Sequence, residues 1–348
     1  MATPSDGWRE MMQAPGASSA VDEEIVRQML SLLREDLDPR QRDRMAGLIA
    51  AIVNGRVPRL AVEPSSVVDG AFETLRAEGY CSFAGLLTPD RAAAVTGHFR
   101  VRPCFNAHVA EASDGVGRRV GAGAESFHYG SYRLADVIAA PFLPELANDA
   151  RLLAIAERYL GCTPTLYSLN AWWSFPGRAR PANVSQSFHR DLDDFRFCTL
   201  FLYLTDVGER GGPHVYVRRT HRIDLLEREV ARADGGALAD LDPELQKAVA
   251  AGALLRGQAY GLDPAIHRLL GDLIDMIPGP AGSGLIADTY GLHMGIPPET
   301  GPRLIFWARY GTHANAGRHP EAVEESVLAR RLSWNDLSRY INRALFRG

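Results

Sequence analysis

The sequence predicts a mainly β core with α-helical additions: a double-stranded β-helix, the jelly-roll architecture shared with cupins, carrying N-terminal helices and a helical insertion. Three observations predict it. From Thr163 onward, short runs rich in aromatic and branched residues recur at strand length, as at 166–175 and 197–204. Polar residues able to hold an ion fall on separate runs far apart in the chain, which suits a fold that gathers distant strands around one interior. Between Arg222 and Pro280 the β pattern gives way to helical spacing.

Taken in order, residues 1–19 mix Pro, Gly, Ser and acidic side chains and read as a flexible N-terminus. Ile25, Val26, Met29, Leu30 and Leu33 recur at helical spacing. Asp38-Pro39 then supplies a cap and a first-turn proline for a second helix, whose face carries Met45, Leu48, Ile49, Ile52 and Val53 up to a stop at Asn54-Gly55. The two make a helical hairpin within 20–60 that is expected to pack on the core. A helix over 66–78, a strand over 80–83 and a helix capped by Thr88 with Pro89 at its first position follow. A further helix over 149–160 stops at Gly161, whose freedom at positive φ suits a helix end. The main domain is expected to span 61–315, with its insertion at about 222–280 and a C-terminal helical segment at 316–348. Leu225, Leu226, Val230, Leu245, Val249 and Leu269 give the insertion its helical spacing, and a structureless loop of that length would be unusual. Its place in such a fold is over the barrel mouth, as a lid; an oligomer interface or structural padding are the alternatives.

The chemistry is concentrated in Phe188-His189-Arg190-Asp191. In a strand, residues i and i+2 share a face, so His189 and Asp191 can grip one ion while Arg190 points away. His293 is expected from another strand, beside the apolar run Gly284-Leu285-Ile286-Ala287-Asp288. The turn-rich Gly295-Ile296-Pro297-Pro298-Glu299-Thr300-Gly301-Pro302 is expected to fold Arg303 back towards it as a hairpin. Two histidines and a carboxylate on one side of a divalent ion leave the opposite positions open, the arrangement of non-haem Fe(II) oxygenases. The fork of Arg303 matches a carboxylate in two-pronged fashion. A bare His-x-Asp is common; the ordered set is much more specific.

These segments resemble the phytanoyl-CoA dioxygenase-like family of Fe(II)- and 2-oxoglutarate-dependent oxygenases over roughly 71–312. The matching pieces are Gln186-Ser187-Phe188-His189-Arg190-Asp191, then Leu204-Thr205-Asp206-Val207-Gly208-Glu209-Arg210-Gly211-Gly212-Pro213 leading to Thr220-His221, then Leu292-His293 and Gly301-Pro302-Arg303. Glu78-Gly79-Tyr80 and Leu86-Leu87-Thr88-Pro89 match more weakly. The resemblance implies His189, Asp191 and His293 as ligands of Fe(II), Arg303 as the clamp on 2-oxoglutarate, and O2 as the oxidant. It implies hydroxylation of an unactivated carbon of a small or medium metabolite, with release of succinate and CO2. Asp191 disfavours halogenation, for which related enzymes replace the carboxylate by a small residue; desaturation and cyclisation stay open. Where the family commonly reads Pro-Gly-Ser-His, this chain reads Arg218-Arg219-Thr220-His221, a departure that bears on the substrate more than on the iron chemistry.

Thr199, Phe201 and Tyr203 alternate along one strand, so one of its faces is expected to line the 2-oxoglutarate pocket. Asn170 and Trp172 share a face of the preceding strand, and His214 and His221 lie near turns as secondary candidates. Across its 348 residues the net charge is −4, a mild negative balance that gives no reason to expect nucleic acid, whose binding relies on clustered positive charge. Cys81, Cys104, Cys162 and Cys198 are scattered, which indicates neither a zinc ribbon nor a disulfide framework. No run reaches the ~18 apolar residues of a membrane span, and residues 1–19 lack the basic start and apolar run of a signal peptide. The expectation is a cytoplasmic enzyme with a small-molecule substrate and no nucleic-acid or membrane partner; a homo-oligomer is compatible with it. Two other classes stand beside it. One is a non-catalytic β-barrel binding or sensor module; the other is a cupin-like Zn(II) or Mn(II) isomerase or hydrolase, which usually carries more histidines and has no need of Arg303.

Overall fold

The computed structural model describes residues 39–107, 115–127, 129–177, 186–232, 239–255, 259–312 and 319–347. The 1–19 segment and the first helix of the expected hairpin lie outside these residues, and only the second helix, α1 (Pro39–Asn54), is described. α2 (Ser66–Glu78) ends at Gly79, whose φ of 92° is left-handed, and passes directly into β1 (Tyr80–Phe83). Thr88 accepts the Arg91 N–H at the head of α3 (Pro89–Arg100). β2 (Phe105–Ala107) and β3 (Tyr129–Ser131) precede the short helices α4 (Leu134–Ala139) and α5 (Leu143–Ala147). α6 (Ala150–Leu160) is capped by the Asp149 carboxylate and closed by Gly161 at φ 81°.

The chain then runs through β4 (Thr165–Ser174), β5 (Phe197–Tyr203) and β6 (His214–Val217). The insertion contributes α7 (Ile223–Arg232), α8 (Pro243–Ala250) and α9 (Asp263–Leu270). β7 (Ile274–Ile277), β8 (Gly284–Ala287), β9 (His293–Gly295) and β10 (Arg303–Gly311) complete the strands around the site. At the C-terminal end, α10 (Glu325–Ala329) and α11 (Asp336–Asn342) are accompanied by a parallel pair, β11 (Val323–Glu324) with β12 (Phe346–Arg347), which helical patterning did not anticipate.

Among the described residues, two antiparallel sheets carry the site. One has seven strands in the order β1-β8-β5-β10-β4-β3-β2, and the other has three in the order β7-β6-β9. The period of two along a strand gives the large sheet two unlike faces. Leu304, Phe306, Ala308 and Tyr310 of β10 join Ala171 and Trp173 of β4 in the main core, with Leu75 of α2 and Leu153 of α6. The alternate residues Ile305 and Trp307 face the other way, with Trp172, Phe201 and Tyr203. Tyr129 stacks on Trp172 at 4.4 Å between centroids, and Trp172 meets Trp307 edge-on at 4.1 Å. Tyr216 and Ile277 of the small sheet pack on Leu285 and Ala287 of the large one.

Three expectations need correction. β9 pairs with β6 while β10 pairs with β4 and β5, so Arg303 does not return to His293 as a hairpin. The stretch holding His189 and Asp191 is also not a regular strand. His189 and His293 form an isolated bridge, exchanging both backbone hydrogen bonds at 3.0 Å. The next bond is from Asp191 N to Thr289 O, so two residues on one side face four on the other, and a turn closed by Gly291 N to Asp288 O interrupts the ladder. In addition, β7 lies inside the 222–280 stretch read as helical.

Candidate metal centre

His189, Asp191 and His293 come together although 104 residues separate the first from the last. One potential ligand atom from each lies within 4.8 Å of the others. Each histidine Nε2 is 3.9 Å from an oxygen of Asp191, one on Oδ1 and the other on Oδ2. His189 Nδ1 is 2.9 Å from Ser187 O, and His293 Nδ1 is 2.9 Å from Gly291 O. A carbonyl oxygen only accepts, so each Nδ1 carries a proton, and in the neutral tautomer Nε2 is then the nitrogen with the lone pair. That is the outer hydrogen bond a metal-binding histidine needs to hold its tautomer and ring orientation. Gly291 is required here, because a Cβ would collide with the Tyr216 hydroxyl. Burial, and then the proximity of His189, push His293 down to about 3, which leaves a neutral ring at neutral pH.

Asp191 is held by a residue whose part the sequence did not reveal. Burial is the largest influence and would raise its carboxyl, but Arg309, the two histidines and a hydrogen bond from Thr289 together outweigh it and hold the carboxyl at about 2. Arg309 Nη2 donates to Asp191 Oδ2 at 3.1 Å, and Nη1 donates to Asp193 Oδ2. Asp193 also accepts from the Tyr167 hydroxyl at 3.1 Å. The loop continues with Asp194, which accepts from Thr312 N at 2.8 Å and Phe195 N at 2.6 Å. Arg42 of α1 donates to Asp194 O and Phe195 O and lies 4.0 Å over the Tyr290 ring. The helix before the core therefore fastens the loop that follows the ligands.

Arg303 is only 6% exposed. It donates to Gly212 O and, at 3.1 Å, to Ser174 Oγ. Its Nε finds no partner among the described residues, and no carboxylate there acts on its charge. Burial lowers its pKa accordingly. Gly212 sits at φ 81° with its Cα against the Ile296 and Pro298 backbone, a place without room for a side chain.

The strand after the first ligands divides by role. Thr199 is 3.3 Å, hydroxyl to hydroxyl, from Thr289, which also hydrogen-bonds Asp191, so it belongs to the ligand side. Phe201 packs on the His214 ring at 4.6 Å. The Tyr203 hydroxyl donates to Ile277 O at 2.7 Å and accepts from His214 N at 2.9 Å, so it is engaged with backbone. His214 itself lies inside the site: its ring stacks on His293 at 5.5 Å, it is 5% exposed, and burial, followed by the nearness of His293 and the charge of Arg303, holds it well below the usual histidine range. His221 lies elsewhere, with Nε2 3.2 Å from Arg76 O. Arg218 and Arg219 pair with Glu78.

The insertion reaches the centre and the stretch that carries its ligands. Tyr260, 39% exposed, stacks over the His189 ring at 6.1 Å, just after Ala259 at φ 62°. Arg190, pointing away from the ion site as expected, is 1% exposed and donates to Leu254 O of the insertion at 3.0 Å and to Thr220 O at 2.7 Å. A separate cavity of about 430 Å³ lies outside this centre, lined by Arg42, Arg158, Tyr159, His221, Asp288 and neighbouring residues.

No family model matches the sequence, the phytanoyl-CoA dioxygenase-like family included, and no curated protein matches it. Several solved structures are similar to this chain over part of its length. The epimerase SnoN in complex with Fe3+, alpha ketoglutarate and nogalamycin RO is 18% identical, over 71% of this chain and 84% of that one, with a TM-score of 0.45. AviO1 from Streptomyces viridochromogenes Tue57 is 17% identical over 72% and 96%, with a TM-score of 0.42. HygX from Streptomyces hygroscopicus with nickel and 2-oxoglutarate bound is 14% identical over 72% and 87%, with a TM-score of 0.39. Among the described residues, no helix is long and apolar enough to cross a membrane.

Proposed function

We propose that this chain is an Fe(II)- and 2-oxoglutarate-dependent oxygenase that hydroxylates an unactivated carbon of a small or medium metabolite. The observation that carries it is the pairing of two unlike sets of groups in one interior. Two proton-free Nε2 atoms and an ionised carboxylate converge at one end. At the other lies Arg303, a buried cation that no carboxylate of the described residues compensates. A divalent cation fits the first and a dicarboxylate's far end fits the second. We infer further that the two sheets are the facing halves of a double-stranded β-helix, spanning 61–315 with the insertion as its lid.

In this reading His189, Asp191 and His293 hold the ion, and Arg303 anchors the distal carboxylate of 2-oxoglutarate. When bound, the ion and the 2-oxo acid supply O2 activation, ending in hydroxylated product, succinate and CO2. The chain's own part is orientation. Ser187 O and Gly291 O fix the imidazoles, Arg309 keeps Asp191 ionised and aimed, and Tyr260 shields the His189 side from water. An intact Asp191 favours hydroxyl transfer over halogenation.

Anaerobically purified, Fe(II)-loaded protein is expected to form succinate from 2-oxoglutarate on exposure to O2, and His189→Ala to abolish it. Failure to turn over, together with failure to bind Fe(II) and 2-oxoglutarate, would replace this reading with that of a non-catalytic binding module.

A further inference from the structure

We propose that His214 is a co-substrate-binding residue, its Nε2 hydrogen-bonding an oxygen of the dicarboxylate that runs from Arg303 to the His189, Asp191 and His293 cluster. The inference rests on the functional reading above and adds a recognition residue to it. His214 Nε2 is buried and has no hydrogen-bond partner among the described residues. An apolar side chain would fill the same space without leaving a polar atom unmet, so an imidazole there costs stability until a ligand satisfies it. Its place is between the two ends of the site. One face stacks on His293 at 5.5 Å, and Phe201 supports the ring at 4.6 Å. Two residues earlier, Gly212 gives its carbonyl to Arg303.

The ring is also rigidly placed. Its backbone N–H is taken by the Tyr203 hydroxyl at 2.9 Å, and that hydroxyl is itself tied to Ile277 O at 2.7 Å. β6 pairs His214 with Ile277 on one side and Gly295 on the other, so the strand carrying it is hydrogen-bonded along both edges. His214 does not belong to the three residues whose ligand atoms lie within 4.8 Å of one another, which separates it from the ion-holding set. A buried imidazole beside the His293 ring, two residues on from the carbonyl that takes Arg303, can offer its Nε2 to a carboxylate or keto oxygen.

The test is anaerobic calorimetric titration of Mn(II) and then 2-oxoglutarate into wild type, His214→Phe, His214→Gln and Arg303→Met, each checked for a folded state by its thermal melt. His214→Phe is expected to weaken 2-oxoglutarate at least about 10-fold, the loss of one hydrogen bond to a charged group. His214→Gln, which keeps a donor, is expected to recover most of that loss, and Mn(II) affinity to stay unchanged in both. Wild-type 2-oxoglutarate affinity in folded His214→Phe, or equal loss in both His214 variants, would overturn the assignment while leaving the oxygenase reading intact, provided Arg303→Met still loses binding. Loss of Mn(II) in the His214 variants would make the residue part of the ion site instead. Wild type that binds no 2-oxoglutarate would remove both readings together.

Discussion

Around Asp191 the positive charge of Arg309 meets two carboxylates, whereas no carboxylate of the described residues acts on Arg303 at the other end of the same strand. Both guanidiniums lie on the interior face of β10, six residues apart. The ligand end is therefore balanced in charge within the chain, although Arg309 Nε lacks a hydrogen-bond partner among the described residues: Asp191 is ionised, oriented and tied through Asp193 and Asp194 to β4 and β10. The clamp end is incomplete, with orphaned nitrogens on Arg303 and His214. A buried charge left unpaired is costly, and a ligand that pairs it gains in affinity what the free protein lacks in stability. The contrast teaches that one interior holds a preorganised ion site beside an anion site that only a guest completes.

The largest effect expected is on the ion itself. Replacing His189 or His293 by Ala removes one of two neutral nitrogens, and succinate formation should fall to background with loss of stoichiometric Fe(II) in a metal assay. Next come two substitutions that should move stability in opposite directions if the contrast is right. Arg309→Met strips Asp191 and Asp193 of their partner and should destabilise the metal-free protein by about 2 to 4 kcal/mol in urea unfolding. It should also weaken metal binding by about 10- to 100-fold, as loss of an outer hydrogen bond does. Arg303→Met removes a charge without a counter-charge and should leave the metal-free protein as stable or more so, by up to about 1 kcal/mol, while abolishing 2-oxoglutarate binding. Equal destabilisation by both would end the distinction between the two regions.

A smaller effect is expected from pH. Folded His293 and His221 lie at about 3 and 4, each lowered first by burial, against an unfolded value near 6.5. The unfolded chain therefore binds more protons in that window, and stability should be full above about pH 6.5 and decline as pH falls towards 4. Asp288 acts in the opposite sense, since burial raises it to about 6 and its cost is felt as pH rises from about 4 to 6. Melting temperatures of metal-free wild type and Asp288→Asn across this range separate the two, the variant losing only the rising-pH penalty. Bound metal should raise stability and, by holding His293 unprotonated, carry the acid limb to lower pH until protons displace the ion.

The smallest change in stability belongs to Tyr260, half out of the fold beside His189. Tyr260→Ala should alter stability by less than about 0.5 kcal/mol, as exposed substitutions do, and leave metal and 2-oxoglutarate affinity intact. Its expected signature is a raised KM for the substrate with little change in uncoupled succinate formation.

Much of this was readable along the chain. The order of His189, Asp191, His293 and Arg303, and the helices around Thr88, Asp149 and Gly161, follow from local signals: caps, first-turn prolines, a glycine at positive φ and the period of apolar residues. Such signals act over a few residues, so they name elements and candidate ligands well. They do not tell which strand lies beside which. That β10 runs between β4 and β5, and that β9 pairs with β6 instead, came only from the assembled sheets. Those neighbours brought Arg309 to Asp191, His214 between Arg303 and His293, and Tyr260 over His189. Charge pairing, burial and an orphaned nitrogen are properties of what surrounds a side chain, and residues far apart in sequence supply those surroundings; the sequence by itself determined the donors, and the tertiary structure decided which of them are already satisfied.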